Sequence, residues 1–149
     1  FETIINLDVP YIMMHMQGNS NSMQVNPTYD DVTSDIISFF EQKVKQLNAK
    51  GFKKIIIDPG FGFGKTIEHN YEILKNLKKF KKLNFPLLAG LSRKSMIYNL
   101  LDTSAEDALN GTTVANTISL LNGANILRVH DVKQALECIR IYAMIRKMD

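Results

Sequence analysis

Apolar residues along this chain fall into short β-rich runs separated by longer stretches of helical spacing. Four runs read as buried strands: Pro10 to Met14, Lys54 to Ile57, Pro86 to Ala89 and Asn125 to Val129. Three of them are nearly all apolar rather than alternating, as strands covered on both faces are. Between them the period changes. After Asp30 and Asp31, apolar residues recur at Val32, Ile36, Phe39, Phe40, Val44 and Leu47, which predicts a helix ending at Gly51. Ile67 to Phe80 carries Tyr71, Leu74 and Leu77 on one stripe, a second helix. Ser104-Ala-Glu-Asp107 has the form of a capping box before a helix running to about Leu121, closed by Asn122-Gly123. Val132 to Met148 reads as a final amphipathic helix.

The order β-α-β-α-β-α-β-α means a parallel sheet with right-handed crossovers. Two architectures fit: a complete doubly wound, flavodoxin-like domain, or a contiguous half of a (β/α)8 TIM barrel, which needs ~250 residues for its eight units. The length of 149 residues favours the first. The chemistry favours the second.

In either architecture ligands sit at the carboxyl ends of the strands, and here every predicted strand ends in a polar or glycine-rich cluster. These are His15-Met-Gln-Gly-Asn19, Asp58-Pro-Gly-Phe-Gly-Phe-Gly-Lys65, Gly90-Leu-Ser-Arg-Lys-Ser95 and Arg128-Val-His-Asp131. Side chains alternate faces along a strand. Ile126, Arg128 and His130 therefore share one side, as do Ile56 with Asp58 and Leu88 with Gly90. An Arg, an imidazole and a carboxylate converge on one space, and a shared polar ligand is the simplest reason to gather them.

Each cluster also has a plainer reading. Asp58-Pro59-Gly60 suits a turn. His15, of opposite parity to Met14, suits a hydrogen-bonded structural histidine. Arg128 and Asp131 suit a structural ion pair, and Met13, Met14 and Met16 suit core filling. The lysines at 75, 78, 79, 81 and 82 suit a solvated helix face. His130 has no Cys or nearby His at zinc-like spacing. The glycine loop imitates nucleotide motifs without matching them. Gly64-Lys65-Thr66 ends like a P-loop, but its first glycine position holds Pro59, and Gly-x-Gly-x-x-Gly fails at Lys65 and Ile67. What remains is a loop whose alternate glycines allow close approach of the backbone to a ligand, with Phe61 and Phe63 as flat apolar walls.

Composition narrows the setting. With 45% hydrophobic and 22% charged residues, the chain is ordinary for a globular protein. Its net charge of +3 is too mild to imply nucleic acid, and its apolar runs are far short of the ~20 residues that cross a bilayer. A single cysteine, Cys138, excludes an internal disulfide and fits a reducing, cytoplasmic compartment, and no signal peptide is evident. Beginning Phe1-Glu2-Thr3 without an initiator Met, the sequence reads as a piece of something longer.

Taken together, Met14-His-Met-Gln-Gly18 with Met23-Gln24, Asp58-Pro-Gly-Phe-Gly-Phe-Gly-Lys65 with His69-Asn70, Gly90-Leu-Ser-Arg-Lys-Ser95 and Arg128-Val-His-Asp-Val132 resemble the dihydropteroate synthase family. The resemblance covers essentially the whole chain in the family's order. It implies a (β/α)8 barrel of which residues 1–149 supply the C-terminal half, strands five to eight. It implies condensation of p-aminobenzoate with 6-hydroxymethyl-7,8-dihydropterin diphosphate, giving 7,8-dihydropteroate and pyrophosphate for folate synthesis. Mg²⁺ on the diphosphate would assist departure, with its protein ligand in the missing N-terminal half and no metal ligand in this chain.

The resemblance also assigns roles. Asp58 would accept hydrogen bonds from the pterin amino and ring N–H edge. Lys94 would donate to the pterin carbonyl side and wall the p-aminobenzoate site. Arg128 would lay its guanidinium plane against the pterin, and His130 with Arg128 would hold the leaving pyrophosphate. Ser95, at a helix N-terminus, would meet the benzoate carboxylate. Phe63 would pack on the benzoate ring, while Met14 and Gly90 shape the pterin slot. Lys94, Arg128 and His130 are thereby the expected catalytic residues. The family's homodimers implicate Ile139, Tyr142, Ala143 and Ile145 either in such an interface or in the barrel. Two competing readings remain: a pterin-dependent methyltransferase, which needs no pyrophosphate grip such as Ser92-Arg93-Lys94, and a non-enzymatic, doubly wound anion-binding module.

Overall fold

The computed structural model describes residues 1–18 and 27–148; Asn19 and the Met23-Gln24 pair fall outside the described residues. The elements run α1 (Glu2–Leu7), β1 (Tyr11–Met14), α2 (Val32–Ala49), β2 (Ile55–Asp58), α3 (Ile67–Lys75), a 3-10 segment (Leu77–Leu83), β3 (Leu88–Ala89), α4 (Ser95–Tyr98), α5 (Leu109–Leu121), β4 (Ile126–Leu127) and α6 (Val132–Arg146).

Strand order decides between the two architectures. β1 pairs with β2 in parallel, Tyr11 opposite Ile55 through Met14 opposite Asp58. β3 pairs with β4 in parallel, Leu88 opposite Ile126. A parallel bridge from Ile57 to Leu87 joins the two pairs, and Ile57 N donates to Pro86 O at 2.9 Å. Each crossover therefore advances one strand in the same direction. A doubly wound sheet must reverse direction at a switch point; this one never does, so the doubly wound alternative is set aside.

One face of the sheet packs on the helices. Met13, Ile55, Ile57, Leu87 and Ala89 join Ile36, Phe40 and Leu47 of α2, and Ile73, Leu77 and Phe80 beyond β2, in one buried cluster. The alternation is sharp: Met13 is 2% exposed and its neighbour Ile12 is 44% exposed. Ile12, Met14, Ile56, Asp58, Leu88, Gly90 and Arg128 thus lie on the other, concave side, which becomes the lumen when a barrel closes.

Helix ends follow local chemistry, with two departures from the sequence reading. Asp31 caps α2 by accepting from Ser34 N at 2.7 Å. Thr66 caps α3 by accepting from His69 N, while His69 Nδ1 accepts from Thr66 N. The single helix expected over Ile67 to Phe80 instead breaks at Asn76 and continues as the 3-10 segment. Its apolar residues Leu77, Phe80 and Leu83 recur every third position, the period of a 3-10 turn rather than an α-helix. The lysines between them are exposed, and Lys82 meets Glu41 at 3.0 Å. The Ser104 box forms, with Asp107 N donating to Ser104 Oγ at 3.2 Å, but it caps a turn and α5 starts only at Leu109. α1 and α4, neither anticipated from the pattern, are six and four residues long. No helix among the described residues is long and apolar enough to cross a membrane.

Candidate active site

Asp58 is the last residue of β2 and is fully buried. Its Oδ1 accepts from Gly60 N at 2.8 Å, a local turn that fixes the carboxylate. Its Oδ2 lies 3.1 Å from Arg128 Nη2, yet among the described residues no hydrogen bond reaches Oδ2 with proper geometry. Arg128 leaves β4 with its N donating to Ala89 O at 3.0 Å. Its guanidinium lies across Gly90, where a Cβ would come within 2.7 Å of Nη2. Gly90 is therefore glycine because Arg128 occupies the space. The plainer turn reading of Asp58-Pro59-Gly60 holds.

Lys94 reaches the same place from the loop after β3. Its ammonium donates to Phe61 O and stands 4.6 Å from the centroid of the Phe63 ring, within cation–π range. Burial pushes its pKa down to about 8, with Asp58 opposing and Arg128 adding to the shift. Gly90, Ser92, Lys94, Arg128, Val129 and His130 line a cavity of about 140 Å³. That is smaller than the ~300–1,000 Å³ of pockets that enclose a small ligand, as one wall of a barrel mouth should be. His130 is exposed beside it, held by Ser92 Oγ, which lies 3.2 Å from its N and 3.0 Å from its Nδ1. Met14 stands opposite Asp58 in register and is half-buried. Ser95 is exposed in the first turn of α4.

Three expectations are corrected. Phe61 is not a wall of the opening: it is fully buried in the core, and Phe63 alone of the pair remains partly exposed. Two of the three loop glycines, Gly60 and Gly64, make room for another stretch of backbone rather than a ligand, while Gly62 lies against the Lys94 side chain. A Cβ at Gly60 would meet His15 O at 1.9 Å and one at Gly64 would meet Gln17 O at 2.6 Å, and both have positive φ. Lastly, Asp131 does not pair with Arg128. It takes both Nε and Nη2 of Arg93, at 2.9 and 3.0 Å, while Arg93 Nη1 donates to Ala105 O and Glu106 O. Arg93 is thus spent on tying loops together, and an anion grip through its guanidinium is withdrawn.

His15 is buried and neutral. Its N donates to Asp58 O at 3.0 Å, Phe39 meets its ring edge-on at 5.0 Å, and burial, reinforced by Lys65, lowers its pKa to about 3. Lys65, noted in the sequence only as the tail of a failed P-loop, proves to be a buried ammonium beneath the glycine loop. No sequence signal distinguishes a buried lysine from an exposed one. Asn70 was visible in the motif, and its role is now plain: Oδ1 accepts from Gly62 N at 2.7 Å. Among the described residues, no group of three or more His, Cys, Asp or Glu side chains is gathered as metal ligands would be.

This arrangement presents a buried carboxylate acceptor, a guanidinium plane, an ammonium and an aromatic ring at the carboxyl ends of parallel strands. The family described as pterin binding enzyme matches residues 1–130. Dihydropteroate synthase of Haemophilus influenzae is 41% identical over 143 residues, covering 95% of this chain and 52% of that protein. The crystal structure of Yersinia pestis dihydropteroate synthase in a sulfonamide drug complex superposes with a TM-score of 0.96 at 39% identity, covering 99% of this chain and 55% of that one. Xanthomonas albilineans dihydropteroate synthase in complex with 7,8-dihydropteroate superposes at 0.88 and 32% identity, covering 97% and 53%. The chain spans about half the length of the relatives it matches, and it is folded as half of a (β/α)8 barrel. With four motifs in order, a site built from their ends and a family match over most of its length, this chain belongs to the pterin-binding enzymes.

Proposed function

We propose that this chain is the C-terminal half of a dihydropteroate synthase, joining a pterin diphosphate to p-aminobenzoate with release of pyrophosphate. The observation that carries this reading is the Asp58 carboxylate, fully buried with Oδ2 lacking a well-formed hydrogen bond among the described residues. A buried acceptor of that kind is costly unless a ligand donates to it, and the amino and ring N–H edge of a pterin supplies two donors in line. The relatives named dihydropteroate synthase, including those solved with a sulfonamide drug and with 7,8-dihydropteroate, support the same assignment.

In the reaction the C–O bond to the diphosphate breaks and its electron pair leaves with pyrophosphate. The methylene carbon, conjugated to the pterin, carries the positive charge until the p-aminobenzoate nitrogen adds its lone pair and loses a proton. Asp58 fixes the pterin edge. Lys94 donates to the carbonyl side of the ring, and Arg128 covers one ring face with its guanidinium plane. Met14 and Gly90 bound the slot. His130, beside Arg128, holds the departing pyrophosphate. Phe63 faces the benzoate ring, and the Ser95 hydroxyl meets the benzoate carboxylate.

Mg²⁺ on the diphosphate belongs to this reading, with a protein ligand outside these 149 residues; none of the residues placed here is assigned to it. A homodimer also belongs to it, supported by the exposed apolar residues Ile139 and Ile145 on α6, as does a cytoplasmic setting, supported by the lone Cys138. No observation favours the methyltransferase reading. The test is pyrophosphate release by a complete barrel carrying this half. Release that requires both substrates is expected. Release independent of p-aminobenzoate, or none at all, would overturn the assignment.

A further inference from the structure

Lys65 is 4% exposed, an unusual place for a lysine. Its ammonium has three protons, and three acceptors surround it: Gly60 O at 2.9 Å, Phe63 O at 2.9 Å and His15 Nδ1 at 3.1 Å. Among the described residues no carboxylate lies within ion-pair distance of it. Burial, with Lys94 adding and Asp58 opposing, brings its pKa down to about 7. An apolar side chain here would avoid that desolvation penalty altogether. What the ammonium does instead is pin two carbonyls on either side of Phe61-Gly62.

The rest of the loop is anchored around it. Phe61 is sunk in the core, Gly60 N is tied to Asp58 and Tyr29 Oη donates to Gly64 O at 2.7 Å. The Gly60 end is held by the Asp58 carboxylate and by Phe61 in the core. The Phe63 end is held by its own N to Gly60 O at 3.1 Å, through its neighbours by Asn70 at Gly62 and Tyr29 at Gly64, and at its carbonyl by Lys65. Phe63 is also the ring that Lys94 stands against.

We propose that Lys65 is a positioning residue for the arylamine side of the site, its buried ammonium bridging the Gly60 and Phe63 carbonyls and His15 to hold the Phe63 ring against Lys94. This rests on the dihydropteroate synthase reading, and it adds to that reading a residue that touches no substrate. The carboxylate at Asp58 is also fixed by its place in β2 and by Arg128, neither of which Lys65 touches, so the pterin side should be less affected.

The experiment is a double-mutant cycle in the complete barrel, with steady-state constants for both substrates and thermal unfolding for every variant. Lys65→Met is expected to raise KM for p-aminobenzoate roughly tenfold, the size of one lost charge-assisted hydrogen bond. KM for the pterin diphosphate should change by less than about threefold. Combined with Phe63→Leu, the effect should be non-additive, because the clamp acts through that ring. Lys65→Gln, which keeps N–H donors for the two carbonyls, should recover part of the loss. Equal rises in both constants, or full additivity with Phe63→Leu, would show Lys65 to be a general support and overturn the proposal. So would failure of both Lys65 variants to fold. An inactive parent enzyme would instead overturn the functional reading beneath it.

Discussion

Arg128 Nη2 lies 3.1 Å from Asp58 Oδ2, so a guanidinium arriving from β4 spans the end of β3 to meet a carboxylate rooted on β2. The contact exists because Gly90 leaves the intervening position empty. It also leaves the carboxylate half-used: Oδ1 is taken by Gly60 N, while Oδ2 is near a charge without a well-formed hydrogen bond among the described residues.

That geometry predicts the effect of Asp58→Asn in a complete barrel. The substitution keeps the shape but opposes an N–H donor to the pterin edge. Losing a buried charged hydrogen bond costs roughly 1.5–3 kcal/mol, or about 10- to 100-fold in affinity for the pterin diphosphate. Calorimetry showing undiminished binding would refute the role.

Two glycines separate packing from function. At Gly90 an added methyl meets the flexible end of Arg128, at 2.7 Å from Nη2. Gly90→Ala should fold with a stability change under about 1 kcal/mol, yet lose pterin affinity as the guanidinium is displaced. At Gly60 the methyl meets His15 O at 1.9 Å with φ at +70°, backbone against backbone. Gly60→Ala should lose more than about 2 kcal/mol in denaturant unfolding. Similar stability of the two variants would contradict this division.

Lys94 and Ser95 should differ by substrate. Lys94→Ala, removing the ammonium between Phe61 O and the Phe63 ring, should raise the Michaelis constants for both substrates. Ser95→Ala should raise mainly that for p-aminobenzoate and alter inhibition by sulfonamides, which imitate it. A Ser95 variant that moved only the pterin constant would show the residue to be misplaced.

Lys94 also sets a pH dependence. Its pKa is depressed to about 8 by burial, and only the protonated form carries the positive charge assigned to it. kcat/KM should therefore fall as pH rises through about 8, and in Lys94→Arg this descending limb should vanish. The sign for stability is opposite. Between about 8 and the ordinary 10.5 the unfolded chain binds the proton and the folded one does not, so this group's contribution to stability rises with pH. A flat activity profile across that window would exclude Lys94 as the donor.

The 149 residues alone should not catalyse. Ile12 and Leu136 remain 44% and 48% exposed, and β1 and β4 are sheet edges among the described residues, which invite aggregation or association. Positioning catalysis falls steeply when reactants are held from one side. No dihydropteroate should form from the fragment, and activity should return when an N-terminal half is supplied in cis. Robust pyrophosphate release by the isolated chain with both substrates would refute the half-barrel reading.

Much of this was legible before any coordinates. Strand parity alone put Arg128 with His130, Asp58 with Ile56 and Gly90 with Leu88, because alternation is a property of the extended backbone; that these pairs face one space follows from the pairing between strands. The helices of Val32–Ala49 and Val132–Arg146 followed from apolar spacing for the same local reason. The family likeness rested on motif order along the chain. What tertiary structure decided was which polar groups find one another. Asp131 lay three residues from Arg128 in sequence but belongs to Arg93 in space, since a turn beyond β4 carries it towards the loop after β3. Phe61 and Phe63 look equivalent two residues apart, yet one fills the core and the other faces the opening, because the positive φ at Gly60 and Gly62 ends the strand alternation there. Lys65 is the sharpest case: its burial depends on the Gly60 and Phe63 carbonyls and the His15 ring converging from two segments about fifty residues apart. A hydrophobic pattern records which face of an element is apolar; it holds no record of partners that only the closed loop brings within 3 Å.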